Sequence, residues 1–274
     1  MAAKQANVEV ELYDIDETFY PKELPVEIPR DCAVVYVNYF GLCHDNILRL
    51  LSKIPGDSLI IDNSQALFDQ PTAVLASIYS PRKFVGLPDG GLLMASPGLN
   101  ISPPVEEDQG SFDRMRYLLV RMAYSARAGY AAFNKARNSL SDLPPLAMSK
   151  LTRRLMRSIR WNEVAKRRRE NYKTMAAILD AENNLQWSLG KKDVPLCYPF
   201  MSKNCEAKSI KDELAERNIF SAVYWPDVFP RLKAGTIEAA LLNHTLFLPI
   251  DQRMNQMQVK EVCKAVLEMT QVVR

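Results

Sequence analysis

Two features of this chain combine residue types and spacing that could do chemistry. Lys83 lies on a loop-like segment, and Gly90 and Gly91 follow it by seven and eight positions. Asp62 ends the apolar run that begins at Leu59. A lysine amine can form an imine with an aldehyde, and a carboxylate at a strand end can keep a pyridine nitrogen protonated. This combination is how many enzymes hold pyridoxal phosphate (PLP), and it predicts PLP as a cofactor.

The stretch from Val35 to Met94 resembles the DegT/StrS aminotransferases, which are PLP enzymes of fold type I. Members of that family carry an acid followed three residues later by Gln or His, and Asp62 and Gln65 match this element. They also carry a lysine followed by a glycine pair, which Lys83 matches. The resemblance implies that Lys83 is the catalytic residue holding PLP, that Asp62 binds the ring nitrogen, and that Gln65 reaches the ring face or the phenolic oxygen.

Two further residues are predicted to bind the cofactor by resemblance to fold type I enzymes. Ser80 lies three residues before Lys83, where many such enzymes bind the phosphate. In the DegT/StrS family the phosphate-binding Ser usually lies five residues before the lysine, and that position here is Ile78. Asn38 follows an apolar run, and in other fold type I enzymes an Asn at such a strand end touches the cofactor oxygen. For Gln65 the alternative is an ordinary polar residue of a loop, and for Asp62 it is a solvated acid in a turn.

Bulk composition excludes several classes of protein. The chain has 274 residues, 47% of them hydrophobic, and a formal charge of +3, which is too mild to favour nucleic acid as a partner. No apolar run is long enough for a membrane-spanning helix, and no apolar core of a signal peptide follows Met1, so a cytoplasmic protein is expected. Five scattered cysteines without metal-ligand spacing predict reduced thiols and no metal site: Cys32, Cys43, Cys197, Cys205 and Cys263.

The pattern of the first half predicts an α/β fold with a mostly parallel sheet. Apolar runs at 32–37 and 59–61 indicate buried strands, and helical spacing at 45–53 connects them. The alternation of apolar and polar residues at 8–13 predicts another strand. A further strand is expected at 91–96, after the lysine loop. Ligands of such sheets bind beyond the carboxyl ends of the strands, where Asn38 and Asp62 lie.

The second half predicts long helices and a smaller α+β unit. Helices are expected at about 112–140 and 149–179, with a break at Pro144 and Pro145. Strands at 196–201 and near 246–248 and helices at 209–217 and 256–270 complete the pattern. The predicted organisation is a partial large PLP-binding domain at 1–148, a connecting helix at 149–180 and a small C-terminal domain at 181–274.

The chain departs from the family pattern in two places. It begins late, so the fold type I large domain is expected to be N-terminally incomplete, and no glycine-rich loop at a helix N-terminus is recognisable as a phosphate cradle. The motif that relatives carry after the long connecting loop is absent. The arginine-rich segment 150–173 could supply two phosphate clamps for a nucleotide diphosphate, although a solvated helix face accounts for most of its arginines.

The resemblance implies a PLP-dependent aminotransferase that moves an amino group, from glutamate as in relatives, to a keto group on a nucleotide-linked sugar. Relatives are homodimers, so a homodimer is implied. One alternative is a catalytically inactive PLP-fold remnant or interaction subunit. Another is a PLP lyase or dehydratase. Lys83 argues against the dehydratase branch, because relatives that perform dehydration carry histidine there.

Overall fold

The computed structural model describes residues 3, 6–25, 27–70, 72–141, 143–202 and 207–271. Cys205, one of the predicted reduced thiols, lies outside the described residues. The other four cysteines carry free thiols. Within the described ranges, no helix is both long enough and apolar enough to cross a membrane.

A four-stranded sheet forms the first half of the chain. Strands β1 (Val34–Val37), β2 (Leu59–Asn63) and β3 (Ala76–Tyr79) are parallel, and β4 (Leu92–Ala95) is antiparallel to β3. The strands lie in chain order across the sheet. The expected α/β architecture with a mainly parallel sheet is therefore confirmed. Strand β3 was not predicted.

Helix α1 (His44–Leu51) makes the crossover between the first two strands. It buries Ile47 and Leu50, which are three positions apart and so share one helix face. Pro55 and Gly56 follow the helix and start the turn that leads into β2. The parallel pairing places the ends of β1 and β2 at one edge of the sheet, since Val37 lies beside Asp62.

The predicted first strand is wrong. Residues 8–13 form no strand and pair with no described strand, and Val8, Val10 and Leu12 are exposed. Alternation of apolar and polar residues indicates that a strand would have one apolar face, but it does not supply a neighbouring strand. Without a neighbour, the segment gains no hydrogen bonds between strands.

Each of the two predicted long helices is interrupted. The first is α2 (Ser111–Ala123) followed by α3 (Tyr130–Asn138), because Tyr124 leaves helical geometry at φ −128° and ψ −82°. The second is α4 (Lys150–Ser158) followed by α5 (Trp161–Leu179), because Ile159 is extended. The first break folds α3 back against α2, and the second separates α4 from α5. Sequence periodicity reveals neither break.

The C-terminal part pairs β5 (Cys197–Met201) with β6 (Thr245–Pro249) in an antiparallel sheet. Helices α6 (Ala207–Glu216), α7 (Ile237–His244) and α8 (Gln256–Gln271) accompany it. Helix α7 was not predicted. The expected small α+β arrangement is otherwise present.

One large hydrophobic cluster contains residues from both sheets and from α5. Tyr36, Phe40, Met175, Tyr198 and Leu248 all belong to it and are almost completely buried. The core is therefore shared between the β1–β4 region and the C-terminal region. The division of the chain at 148 and 180 stays a prediction.

Candidate active site

Lys83 lies on the single 3₁₀ turn Pro81–Lys83 that follows β3. Its Nζ donates a hydrogen bond to Ser64 Oγ at 2.8 Å. The backbone N–H of Ser64 donates to Asp62 Oδ1, also at 2.8 Å. The residue just past the end of β2 thus joins the lysine to the carboxylate, and the structure brings the two predicted chemical groups to one place.

Lys83 has the electrostatic environment that a nucleophilic amine needs. Although the residue contacts solvent, desolvation by the surrounding protein lowers its pKa below the ordinary lysine value. The negative charge of Asp62 opposes this shift in pKa, and the positive charge of Arg82 adds to it. The neutral amine is therefore more populated at a given pH than on an unperturbed lysine.

Asp62 lies on the more exposed face of the sheet. The register places it beside Val37 on one side and Ile78 on the other, and Ile78 lies beside Leu93. Ile78 is 43% exposed and Leu93 is 51% exposed, so this face is not covered by the described residues. Among those residues the one hydrogen bond to the Asp62 carboxylate comes from the Ser64 N–H. The second carboxylate oxygen can therefore receive another donor.

Gln65 is buried and its side chain is directed into the protein. Its Oε1 accepts a hydrogen bond from the backbone N–H of Phe40 at 3.0 Å. Phe40 has a positive φ of 58°, which is a strained conformation for a bulky residue. The observed contact of Gln65 stabilises this turn. Its contact with a cofactor stays a prediction.

Asn38 is also engaged inside the protein. Its Nδ2 donates to Asn63 Oδ1 at 3.0 Å and to Asp69 Oδ2 at 2.7 Å, while its Oδ1 accepts from the Cys43 N–H at 3.1 Å. Asp69 Oδ1 lies 2.8 Å from His44 Nδ1. The side chain of Asn38 thus holds the turn between β1 and α1 against the end of β2. Its Nδ2 group donates both of its hydrogen bonds to protein oxygens.

Ser80 immediately precedes the turn that carries Lys83 and is half-buried. Its carbonyl accepts from the Lys83 N–H at 3.1 Å. Its hydroxyl has no hydrogen-bond partner among the described residues, so it can bind an external oxyanion. Its proposed contact with the cofactor phosphate stays a prediction.

The loop after Lys83 is held at its far end by a buried polar cluster. Asp89 accepts from Ser111 and Thr152, each at 2.5 Å, and from Arg114 at 3.2 Å. Gly90, the next residue, has a φ of +101° that residues with a side chain rarely adopt. The acid and the first glycine of the motif therefore shape the loop that presents Lys83.

The arginines of 150–173 mostly contact the protein itself. Arg168 is buried, and Arg169 donates to the carbonyls of Gly190 and Asp193. Arg153 pairs with Glu107 at 3.0 Å. A phosphate clamp from this segment stays a prediction.

The residues present fit the reactive end of PLP. Lys83 supplies an amine with a lowered pKa, Asp62 supplies an open carboxylate oxygen, and the Ser80 hydroxyl is unengaged by the described residues. Ser64 is the functional candidate that sequence reasoning missed. Its position between Asp62 and Gln65 was visible, but nothing in its residue type distinguished it from a turn serine.

Known proteins resemble this chain in structure but not in sequence. No family model matches the chain, and no curated protein matches it. Solved structures do match. An aminotransferase, TlmJ from Streptoalloteichus hindustanus, aligns over 96% of this chain and 73% of its own, with 17% identity and a TM-score of 0.56. The E. coli GDP-4-keto-6-deoxy-D-mannose-3-dehydratase, with bound hydrated PLP, aligns over 96% of this chain and 75% of its own. The identity is 12% and the TM-score is 0.57.

A third match is a DegT DnrJ EryC1 StrS aminotransferase from Brucella abortus, which aligns over 87% of this chain and 64% of its own. Its identity is 12% and its TM-score 0.52. The chain has the fold of the PLP fold type I aminotransferases. The expectation drawn from residues 35–94 is thus confirmed at the level of the fold, over most of the chain. This fold carries Lys83 and Asp62 at the carboxyl-terminal edge of its parallel strands.

Proposed function

We propose that the chain is a DegT/StrS-like, PLP-dependent aminotransferase with Lys83 as its catalytic lysine and Asp62 as the partner of the pyridine nitrogen. The observation that carries the proposal is the Lys83–Ser64–Asp62 arrangement, with hydrogen bonds of 2.8 Å on both sides of Ser64. It lies at the strand ends of an aminotransferase fold, where ligands of such sheets bind.

The chain's own residues would do the following. PLP, when bound, supplies an electron sink and carries the amino group between two half-reactions. Lys83 Nζ would hold the cofactor aldehyde, and as a free amine it would move a proton to and from the substrate carbon. Asp62 keeps the ring nitrogen protonated. Ser64 Oγ orients the ammonium of Lys83, and Ser80 Oγ donates to the phosphate.

The proposed donor is glutamate, and the proposed acceptor is a keto group on a nucleotide-linked sugar. The acceptor is supported by the matching dehydratase, because the GDP-4-keto-6-deoxy-D-mannose in its name is a nucleotide-linked keto sugar. We also propose a homodimer, and a division into 1–148, 149–180 and 181–274. Gln65 and Asn38 are also proposed to bind the cofactor, in addition to holding the turns that their observed hydrogen bonds stabilise.

An absorbance titration of the purified chain with PLP tests the proposal. Wild type should develop a visible band from the lysine-bound cofactor, and borohydride reduction followed by peptide mass spectrometry should place the adduct on Lys83. Lys83→Ala should lose the band, whereas Lys166→Ala should keep it, because Lys166 lies on the exposed side of α5 and pairs loosely with Glu170 at 3.9 Å. Glutamate should bleach the band, and the rate of its return with keto acids or nucleotide-linked keto sugars identifies the acceptor.

A second candidate function is an interaction subunit without catalysis. The exposed apolar face of the sheet, which contains Val35, Ile78 and Leu93, favours it. A band that is equally strong in Lys83→Ala, or no band at all in wild type, would contradict the aminotransferase and favour this candidate.

A further inference from the structure

The carbonyl oxygen of Phe84, the residue directly after Lys83, accepts two side-chain hydrogen bonds from far along the chain. Arg168 Nη2 lies 3.0 Å away and Gln252 Nε2 lies 3.1 Å away. Arg168 belongs to α5, and Gln252 follows β6. The peptide unit next to the candidate catalytic lysine is thus held by two separate parts of the C-terminal half.

The other donors of Arg168 extend this contact. Its Nη1 donates to the carbonyl of Leu196 at 3.0 Å, and its Nε donates to Gln252 Oε1 at 3.0 Å. Its guanidinium carbon lies 4.9 Å from the centre of the Phe84 ring. A planar guanidinium directs its donors in fixed directions, so one side chain fixes three segments relative to one another. A lysine ammonium could not reproduce this geometry.

The buried position of Arg168 is costly in itself. Only 2% of the residue is exposed, and desolvation lowers its pKa to about 10, with Asp251 opposing the shift. Its hydrogen-bond partners are carbonyl and amide oxygens, with no carboxylate among the described contacts. An apolar side chain could fill such a place without the desolvation cost. The contacts with Phe84 and Gln252 therefore indicate a role in positioning rather than in simple packing.

We propose that Arg168, together with Gln252, is a positioning residue that fixes the backbone after Lys83 and so keeps the lysine ammonium at Ser64. The proposal rests on the proposed function, since positioning Lys83 matters for catalysis only if Lys83 is the catalytic lysine. Through Arg168 and Gln252, the C-terminal half of the chain would influence the position of Lys83 without contacting the substrate.

The first test needs no cofactor. Amide hydrogen exchange of peptides covering residues 81–87 measures how often this loop opens, because the Phe84 and Val85 N–H groups are protected by the carbonyl of Pro81. Arg168→Met should increase exchange there by about tenfold or more, the size expected for losing hydrogen bonds from a charged donor. Arg168→Lys should fall between wild type and Arg168→Met. Arg167→Met is the matched control, because Arg167 is half-exposed and pairs loosely with Glu170 at 3.9 Å.

The second test is spectroscopic. If Lys83 binds PLP, the pH at which the visible band is half-formed should differ between Arg168→Met and wild type, while Arg167→Met should match wild type. A merely structural role would lower the melting temperature without moving this pH. If Arg168→Met does not fold, Gln252→Leu replaces it. This variant removes one hydrogen bond to Phe84 and the acceptor of Arg168 Nε, but it keeps the guanidinium that donates to Phe84.

The outcomes separate the two proposals. No band in wild type contradicts the proposed function, while the exchange comparison still decides whether Arg168 holds the loop. A folded Arg168→Met or Gln252→Leu variant with wild-type exchange at 81–87 overturns the positioning role. Faster exchange with an unchanged pH for band formation would also overturn it, because the loop would then be held without consequence for Lys83.

Discussion

The ammonium of Lys83 lies 2.8 Å from the hydroxyl oxygen of Ser64, nineteen positions earlier in the chain. The same serine donates its backbone N–H to Asp62. Ser64 therefore controls the distance between the two groups that the proposed chemistry requires, although it carries no charge itself. The relationship leads to a prediction about the lysine rather than about overall stability.

Ser64→Ala should lower the pKa of Lys83 further, because the serine oxygen accepts a hydrogen bond from the charged form of the lysine. Competitive acetylation over a range of pH, followed by peptide mass spectrometry, measures this change in pKa. The free energy of unfolding should change by no more than about 1 kcal/mol, since both partners contact solvent. Ser52→Ala is the control, because the exposed Ser52 hydroxyl donates to the carbonyl of Arg49 in its own turn. An unchanged Lys83 profile in Ser64→Ala would show that the hydrogen bond does not form in solution.

Substitutions at Asp62 and Arg82 should move the pKa of Lys83 in opposite directions. Asp62→Asn removes a charge that raises this pKa, so the value should fall; Arg82→Met removes a charge that lowers it, so the value should rise. The same acetylation assay reads both variants. If the pKa of Lys83 moved in the same direction in both variants, the proposed arrangement of charges around the lysine would be contradicted.

The lowered pKa of Lys83 also predicts a pH dependence of stability. Between the lowered value and the ordinary value of 10.5, the unfolded chain binds more protons than the folded protein at this site. The stability of wild type relative to Lys83→Met should therefore rise with pH across that window and be independent of pH below it. Urea titrations of both proteins at several alkaline pH values measure this difference, and a decrease with rising pH would contradict the direction of the shift.

The two glycines after the lysine loop should differ in their tolerance of alanine. At Gly90 a Cβ atom would lie 3.0 Å from Met148 Cε and 3.1 Å from Thr152 Cγ2, and φ is +101°. Gly90→Ala should reduce the free energy of unfolding by about 1–3 kcal/mol. At Gly91 the nearest atom would be the Tyr79 carbonyl oxygen at 3.5 Å, an ordinary contact, so Gly91→Ala should change stability by less than about 1 kcal/mol. Denaturant unfolding compares the pair, and equal costs would contradict this account.

Asn38→Ala should destabilise the fold by about 2–4 kcal/mol, because it leaves the buried Asn63 side chain and the Cys43 N–H without their partners. Asn162→Ala, on the exposed face of α5, should cost no more than about 0.5 kcal/mol. Urea unfolding of the two variants measures both. An Asn38→Ala variant of unchanged stability that weakens PLP binding would contradict the purely structural account and support the direct cofactor contact predicted from sequence.

The elements that could be predicted are those whose signals are local. The apolar runs before Asn38 and Asp62 identified two parallel strands, although β1 buries only Tyr36 where burial of the whole strand was expected. Pro55 and Gly56 marked the end of the helix between them. The interruptions near Tyr124 and Ile159 could not be predicted, since helical periodicity continues across them. The strand predicted at 8–13 failed because pairing depends on a neighbour that the pattern does not contain.

The sequence by itself determined the chemistry on offer: a lysine before a glycine pair, and an acid at the end of an apolar strand. These are properties of residue type and short spacing, and they led to an aminotransferase fold that the structure confirms. Only the tertiary structure decided that Ser64 joins Lys83 to Asp62, that Asn38 and Gln65 bond inward, and that Arg168 holds the peptide after the lysine. Hydrogen bonds between segments as far apart as residues 84 and 168 depend on strand register and helix breaks, which no local pattern encodes.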